Sequence, residues 1–238
     1  MIRSILALVL CLTSVASGSI IFSGTTDLNR AASAQFTVIG NTMSVELTNT
    51  SSADVANPLG ILTAVFFEIG TAYAGATFSP QTASLGMGSV VHFGPNGGGN
   101  VSGEWAFSDS LVGAPLGLQY GIGSAGFGLF APSELFPGGS VLTPPVEPDG
   151  LNYGITSAGD DVTTGNMAVT GGTPLIQNSV TFDFTVSDGF DEAGITRAYL
   201  QYGTALFEGG FEGNLIVPNA SSYSLLIFGG LCAYRRYC

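Results

Sequence analysis

Ala34-Gln35-Phe36-Thr37-Val38-Ile39-Gly40-Asn41-Thr42-Met43-Ser44-Val45-Glu46-Leu47-Thr48 is the stretch that decides the fold. Phe36 and Val38 alternate with polar neighbours, Gly40-Asn41 supplies a two-residue turn, and Met43, Val45 and Leu47 alternate again. Successive strand side chains point to opposite faces, so the pattern predicts a β-hairpin with one buried face.

Working outward, residues 60–69 form a nearly continuous apolar run (Ile61, Leu62, Val65, Phe66, Phe67), which predicts a strand buried on both faces. Residues 90–93 and 104–107 read as short strands. Between them, Gly97-Gly98-Gly99 is a loop that opens no helix, so it is no phosphate cradle. Residues 180–186 place Val180, Phe182, Phe184 and Val186 on one face, and residues 195–202 form the next strand. Leu118-Gln119-Tyr120-Gly121-Ile122-Gly123-Ser124-Ala125-Gly126 and Leu151-Asn152-Tyr153-Gly154-Ile155-Thr156-Ser157-Ala158-Gly159 agree at seven of nine positions, and Leu200-Gln201-Tyr202-Gly203 repeats the first four. The copies lie 33 and 49 residues apart. Unequal spacing argues against a solenoid or propeller and for a recurring glycine-turned strand end within one sheet system. The Pro-rich connector 132–148 is expected to be an extended surface loop.

Outside the two ends, no window of eleven residues carries a capped helical stripe. The fold class is therefore all-β: an antiparallel, jelly-roll-like β-sandwich over 19–214, with a signal helix before it and a short apolar helix after it.

Composition bounds the function. All three cysteines (Cys11, Cys232, Cys238) lie near the ends, so the body has neither disulfide nor thiol chemistry. Between them, Arg30 and Arg197 face all seventeen carboxylates, a net −15. Such a field repels nucleic acid and anionic membrane surfaces and attracts divalent cations. Charged residues are still only 9% of the chain and glycine numbers 35, so Ser, Thr, Asn and Gly must supply most of the surface.

The ends read as handling segments. Arg3, the apolar run 5–12 and Ala16-Ser17-Gly18 form a signal peptide, with cleavage expected near Gly18/Ser19. Residues 215–238 carry Val217-Pro218-Asn219-Ala220, an apolar block from 223 to 234, and Arg235-Arg236. Twelve helical residues reach about 18 Å, short of the ~30 Å hydrocarbon layer. The block (Leu225, Leu226, Ile227, Phe228, Gly229, Gly230, Leu231) thus suits a transient stop in the membrane, with the arginines on the cytoplasmic side. The competing reading is a final element packed into the domain.

This tail resembles the PEP-CTERM sorting signal of bacterial exosortase substrates, in which Val-Pro-Glu-Pro precedes a Leu/Gly-rich helix and an Arg cluster. Val217, Pro218, Leu225, Leu226, Gly229, Gly230, Leu231, Arg235 and Arg236 match it, while Asn219 and Ala220 replace its Glu and second Pro. The body, through Gly150-Leu151-Asn152-Tyr153-Gly154-Ile155-Thr156-Ser157-Ala158-Gly159-Asp160-Asp161 and Gln201-Tyr202-Gly203-Thr204-Ala205-Leu206, resembles an X-Asp-Asp signature group of such surface proteins. The resemblance implies Sec-type export and processing by an exosortase-like membrane protease around residues 217–220. The expected end product is a structural or interaction protein at the cell surface or in the extracellular matrix, and the sequence reading adds the expectation that it is non-catalytic. Extracellular polysaccharide is an expected contact.

Three constellations remain. Asp160-Asp161 and Asp188/Asp191 mix carboxylates with glycine and are the candidate calcium ligands; no other cofactor is expected. His92, the lone histidine, reads as a hydrogen-bonded structural residue, because no Gly-x-Ser-x-Gly elbow accompanies it. A glycosidase would need Glu104, Glu208 or Glu212 paired across a cleft, whereas Trp105 beside Glu104 reads as core. The alternative function is a lectin-like sandwich, which predicts a groove lined by Tyr120, Tyr153 or Tyr202.

Overall fold

In the computed structural model, which describes residues 18–26, 30–144, 148 and 150–217, the chain reverses at Gly40-Asn41 between β2 (Ala31–Ile39) and β3 (Thr42–Asn49). Gly40 takes φ +60° and Asn41 does not enter the left-handed region, the type II′ pattern whose twist suits a hairpin. Phe36 faces Val45, and Val38 faces Met43. All four side chains, with Leu47, are buried.

β1 (Gly18–Thr25) and β14 (Asn214–Ile216) extend the hairpin on one side, β11 (Ser179–Val186) and β5 (Phe78–Leu85) on the other. The result is the antiparallel sheet β14-β1-β2-β3-β11-β5. Its inner face is Ile20, Phe22, Ala34, Phe36, Val38, Met43, Val45, Leu47, Val180, Phe182 and Phe184. The outer face is polar: Ser44 donates to Asp183 (2.6 Å) and Ser179 to Glu46 (3.3 Å). Pro80 is tolerated because β5 is an edge strand, with a bulge opposite Asp183/Phe184.

The second sheet is built around β4 (Leu62–Ile69). β12 (Ile195–Tyr202) pairs along one side of it, while β8 (Tyr120–Gly123) and β9 (Gly154–Thr156) share the other. β7 (Ala106–Ser108) joins β8, β13 (Gly210–Glu212) joins β12, and β10 (Leu175–Gln177) and β6 (Val90–His92) continue from β9. The molecule is thus an all-β sandwich. One pair, β9–β10, is parallel rather than antiparallel. The chain between those two strands crosses over through the single helical turn α1 (Met167–Thr170), the long return that parallel pairing requires.

Double burial of β4 has a simple origin. Leu62, Val65 and Phe67 enter the core between the sheets, while Ala64 and Phe66 lie under Leu111, Ala114, Leu118 and Phe130 of the long connection that covers the opposite face. The repeated motif falls on β8, β9 and the end of β12, every one a neighbour of β4. Its glycines permit close approach: a Cβ at Gly121 would stand 2.8 Å from the Phe66 ring, and one at Gly154 2.5 Å from Ile61. Ile122 and Ile155 beside them fill the core.

One expectation is corrected. The connector 132–148 is not simply a surface loop, because Phe136 is 2% exposed and packs 5.3 Å from both Phe182 and Phe184. The expected signal segment (1–18, but for Gly18) and the expected apolar tail helix (223–234) lie outside the described residues. β1 begins at Gly18, beside the expected cleavage point, and the expected 214/215 boundary falls inside β14. Among the described residues, no helix is long and apolar enough to cross a membrane.

Candidate functional site

The two acidic loops lie at opposite ends of β11. Gln177, just before that strand, donates to the Ala158 and Asp160 carbonyls, while Asp188 follows its last residue and accepts from Asn41. Eight strand residues separate them by about 25 Å. Asp160, Asp161, Asp188 and Asp191 therefore do not converge on one ion. Asp191 instead accepts from the Tyr73 hydroxyl, which raises that tyrosine's pKa. Among the described residues, no group of three or more His, Cys, Asp or Glu side chains is arranged to hold a metal.

Asp160 has a partner that its sequence position hides, Asp54. The Asp160 Oδ1 accepts from the Val55 amide (3.0 Å), and Asp54 accepts from the Asp161 amide (2.9 Å) and the Thr164 hydroxyl. Burial, followed by the neighbouring Asp54 carboxyl, raises the Asp160 pKa; the hydrogen bonds from Thr164 and Asp161 lower that of Asp54. The folded state thus holds the Asp160 proton more tightly than the unfolded chain. Its contribution to stability falls as pH rises from about 4 towards the raised value. Asp54 acts oppositely, losing its contribution below about pH 4. Asp160→Asn keeps the acceptor for Val55 and removes the charge. It is expected to leave stability unchanged or raised at pH 7 and to remove the part of the stability decline above about pH 4 that comes from Asp160, as read by urea midpoints across pH.

The remaining expected residues serve structure. His92 Nε2 lies 3.0 Å from Gln177 Oε1, and because the Gln177 amide nitrogen donates elsewhere, the imidazole donates here. Trp105 is fully buried against Phe182. Glu104, 4% exposed, accepts from the Leu142 and Thr143 amides. Glu208 accepts from the Thr204 and Ala205 amides, and Glu212 holds Arg197 at 2.7 Å. Each of these carboxylates is occupied in a different place. Tyr153 and Tyr202 are wholly buried, so neither forms a sugar platform. Tyr120, stacked on Phe67, does line a hollow of about 370 Å³ with Glu68, Thr71 and Gln119.

Sequence reasoning missed a second cavity, of about 250 Å³, between Arg30 and the 51–60 loop. Arg30 is held in place by its neighbours: the Thr26 amide donates to its carbonyl, and the Thr50 and Ser51 amides donate to the Ala31 carbonyl. The loop is pinned by Asn49, 1% exposed, whose amide donates to the Gly60 and Ile155 carbonyls. Asn57 caps the 3₁₀ turn Pro58–Gly60. The available signal was arithmetic: Arg30 is one of only two cations between Asp27 and Glu212.

Comparison with family models, curated proteins and solved structures finds no match.

Proposed function

We propose that this chain is an exported, non-catalytic surface or matrix protein whose C-terminal segment directs its sorting. The observation that carries the reading is the order of the tail: Val217-Pro218, a twelve-residue apolar block, then Arg235-Arg236, matched by an N-terminal signal-type segment. A block too short to remain in a bilayer serves as a halt during transfer, with transient membrane contact. A membrane protease of exosortase type then acts around residues 217–220. The point where the chain leaves the body supports this. Leu215 and Ile216 on the edge strand β14 are 51% and 49% exposed, and Val217 just beyond it is 65% exposed, so the described end of the chain is open to solvent. The acidic body stays soluble outside the cell through its charge. A lectin-like role is the competing reading, and of the expected groove tyrosines Tyr120 alone lines a hollow.

The test compares cells expressing the full chain with cells expressing a version ending at Ile216, by fractionation and mass spectrometry of the mature ends. The full chain is expected at the surface or in the medium, starting near Ser19 and ending between 216 and 220. The shorter version is expected to lose surface retention. Identical locations together with an intact Cys238 in the full chain would sink the proposal.

A further inference from the structure

We infer that the Arg30 cavity binds a small hydroxylated carboxylate of single-sugar size, of the hexuronate class. Arg30 is 7% exposed, yet among the described residues its guanidinium makes one hydrogen bond, Nη1 to the Glu208 carbonyl at 3.1 Å. The Tyr202 ring lies 5.7 Å from its Cζ. Arg197 differs in kind, being exposed and shared between Glu68 and Glu212. A buried guanidinium has five N–H donors and a large desolvation cost, and a single carbonyl offsets little of either. Arg30 lines the cavity, and a planar guanidinium is the side chain whose fork of donors suits a carboxylate.

The surroundings fit a ligand and not only a trapped side chain. Gly209, at φ +105°, lets the guanidinium lie against the backbone, where a Cβ would sit 2.7 Å from Nη1. Ala53, Val55, Ala56 and Leu59 give an apolar wall for a ring's C–H face, and Asn57 adds a polar group for hydroxyls. Asp54 also lines the cavity, but its oxygens accept from Asp161 and Thr164 on the loop. At about 250 Å³ the space falls just below drug-sized pockets of roughly 300–1,000 Å³, which leaves room for one sugar unit. One arginine neutralises one carboxylate. A dianionic phosphate would keep an unpaired charge inside a body of net −15. This inference does not depend on the sorting proposal, which concerns the tail.

The experiment is isothermal titration calorimetry of the purified full chain with galacturonate, galactose, acetate and inorganic phosphate. Galacturonate is expected to bind saturably, with the other three at least tenfold weaker. Arg30→Gln is expected to weaken galacturonate at least tenfold. Leu59→Trp, which fills the cavity from a rim position 39% exposed, should do the same without moving the thermal midpoint. If Arg30→Gln fails to fold, the Leu59→Trp result decides. Absence of saturable galacturonate heat, binding untouched by the folded variants, or acetate or phosphate binding equally tightly would each overturn the assignment.

Discussion

Phe182→Ala is expected to lower the unfolding free energy by about 3–5 kcal/mol, the upper range for a truncated core aromatic. Phe182 is completely buried at the middle of β11, paired with Val45 on one side and Ala83 on the other. Its ring meets Trp105 edge-on at 5.0 Å and Phe136 at 5.3 Å, so truncation opens a void against both rings at once. β11 has hydrogen-bonded partners on both edges and cannot shift to collapse that void. Small domains hold only about 5–15 kcal/mol in total, and the body has no cysteine with which to make up the loss. A urea midpoint corresponding to less than about 1 kcal/mol of destabilisation would show that the two-sheet core is not packed as described.

How much of this was legible follows from which physical signals are local. β2, β3, β11 and β12 were readable because period-two alternation is written in consecutive residues, and Gly40-Asn41 marks its own turn. The unbroken apolar run of β4 likewise announced two covered faces. β5 was not readable: an edge strand needs little apolar surface and tolerates Pro80. β1, β10, β13 and β14 gave no usable pattern, three of them being only three residues long. The parallel β9–β10 pair depends on a return across the sandwich that no window of sequence contains. The same holds at the sites. Asp160-Asp161 stood out as adjacent carboxylates, but what raises Asp160's proton affinity is burial and then Asp54, over a hundred positions earlier, and neither is visible in a sequence window. Asp188 and Asp191 shared the composition of Asp160-Asp161 without sharing its place. Tyr153 and Tyr202 looked like candidate platform residues because a tyrosine's polar tip does not reveal which way its ring points.

Glu104→Ala is expected to cost about 3–6 kcal/mol, since one buried carboxylate oxygen holds two backbone amides and hydrogen bonds to charged groups contribute roughly 1.5–3 kcal/mol each. The effect should be concentrated in the connector. Gly103 and Gly139 allow the 102–104 and 138–141 backbones to cross in contact: a Cβ on Gly103 would stand 2.3 Å from the Ser140 carbonyl oxygen, and one on Gly139 2.6 Å from the Gly103 nitrogen. Asn100 adds a hydrogen bond to the Gly138 carbonyl (3.1 Å). Glu104 secures the far side of this crossing at Leu142 and Thr143, so losing it should release the chain that carries Phe136 into the core. Glu104→Gln separates charge from geometry. Both amides bond to Oε1, and an amide oxygen in that place keeps both partners in weaker, neutral form, so roughly half the loss is expected. Urea denaturation should rank the proteins wild type, Gln, Ala, and limited proteolysis with mass spectrometry should show the Ala variant cut first between residues 137 and 150. Equal stability of all three, or first cuts elsewhere, would mean that the crossing holds without its carboxylate.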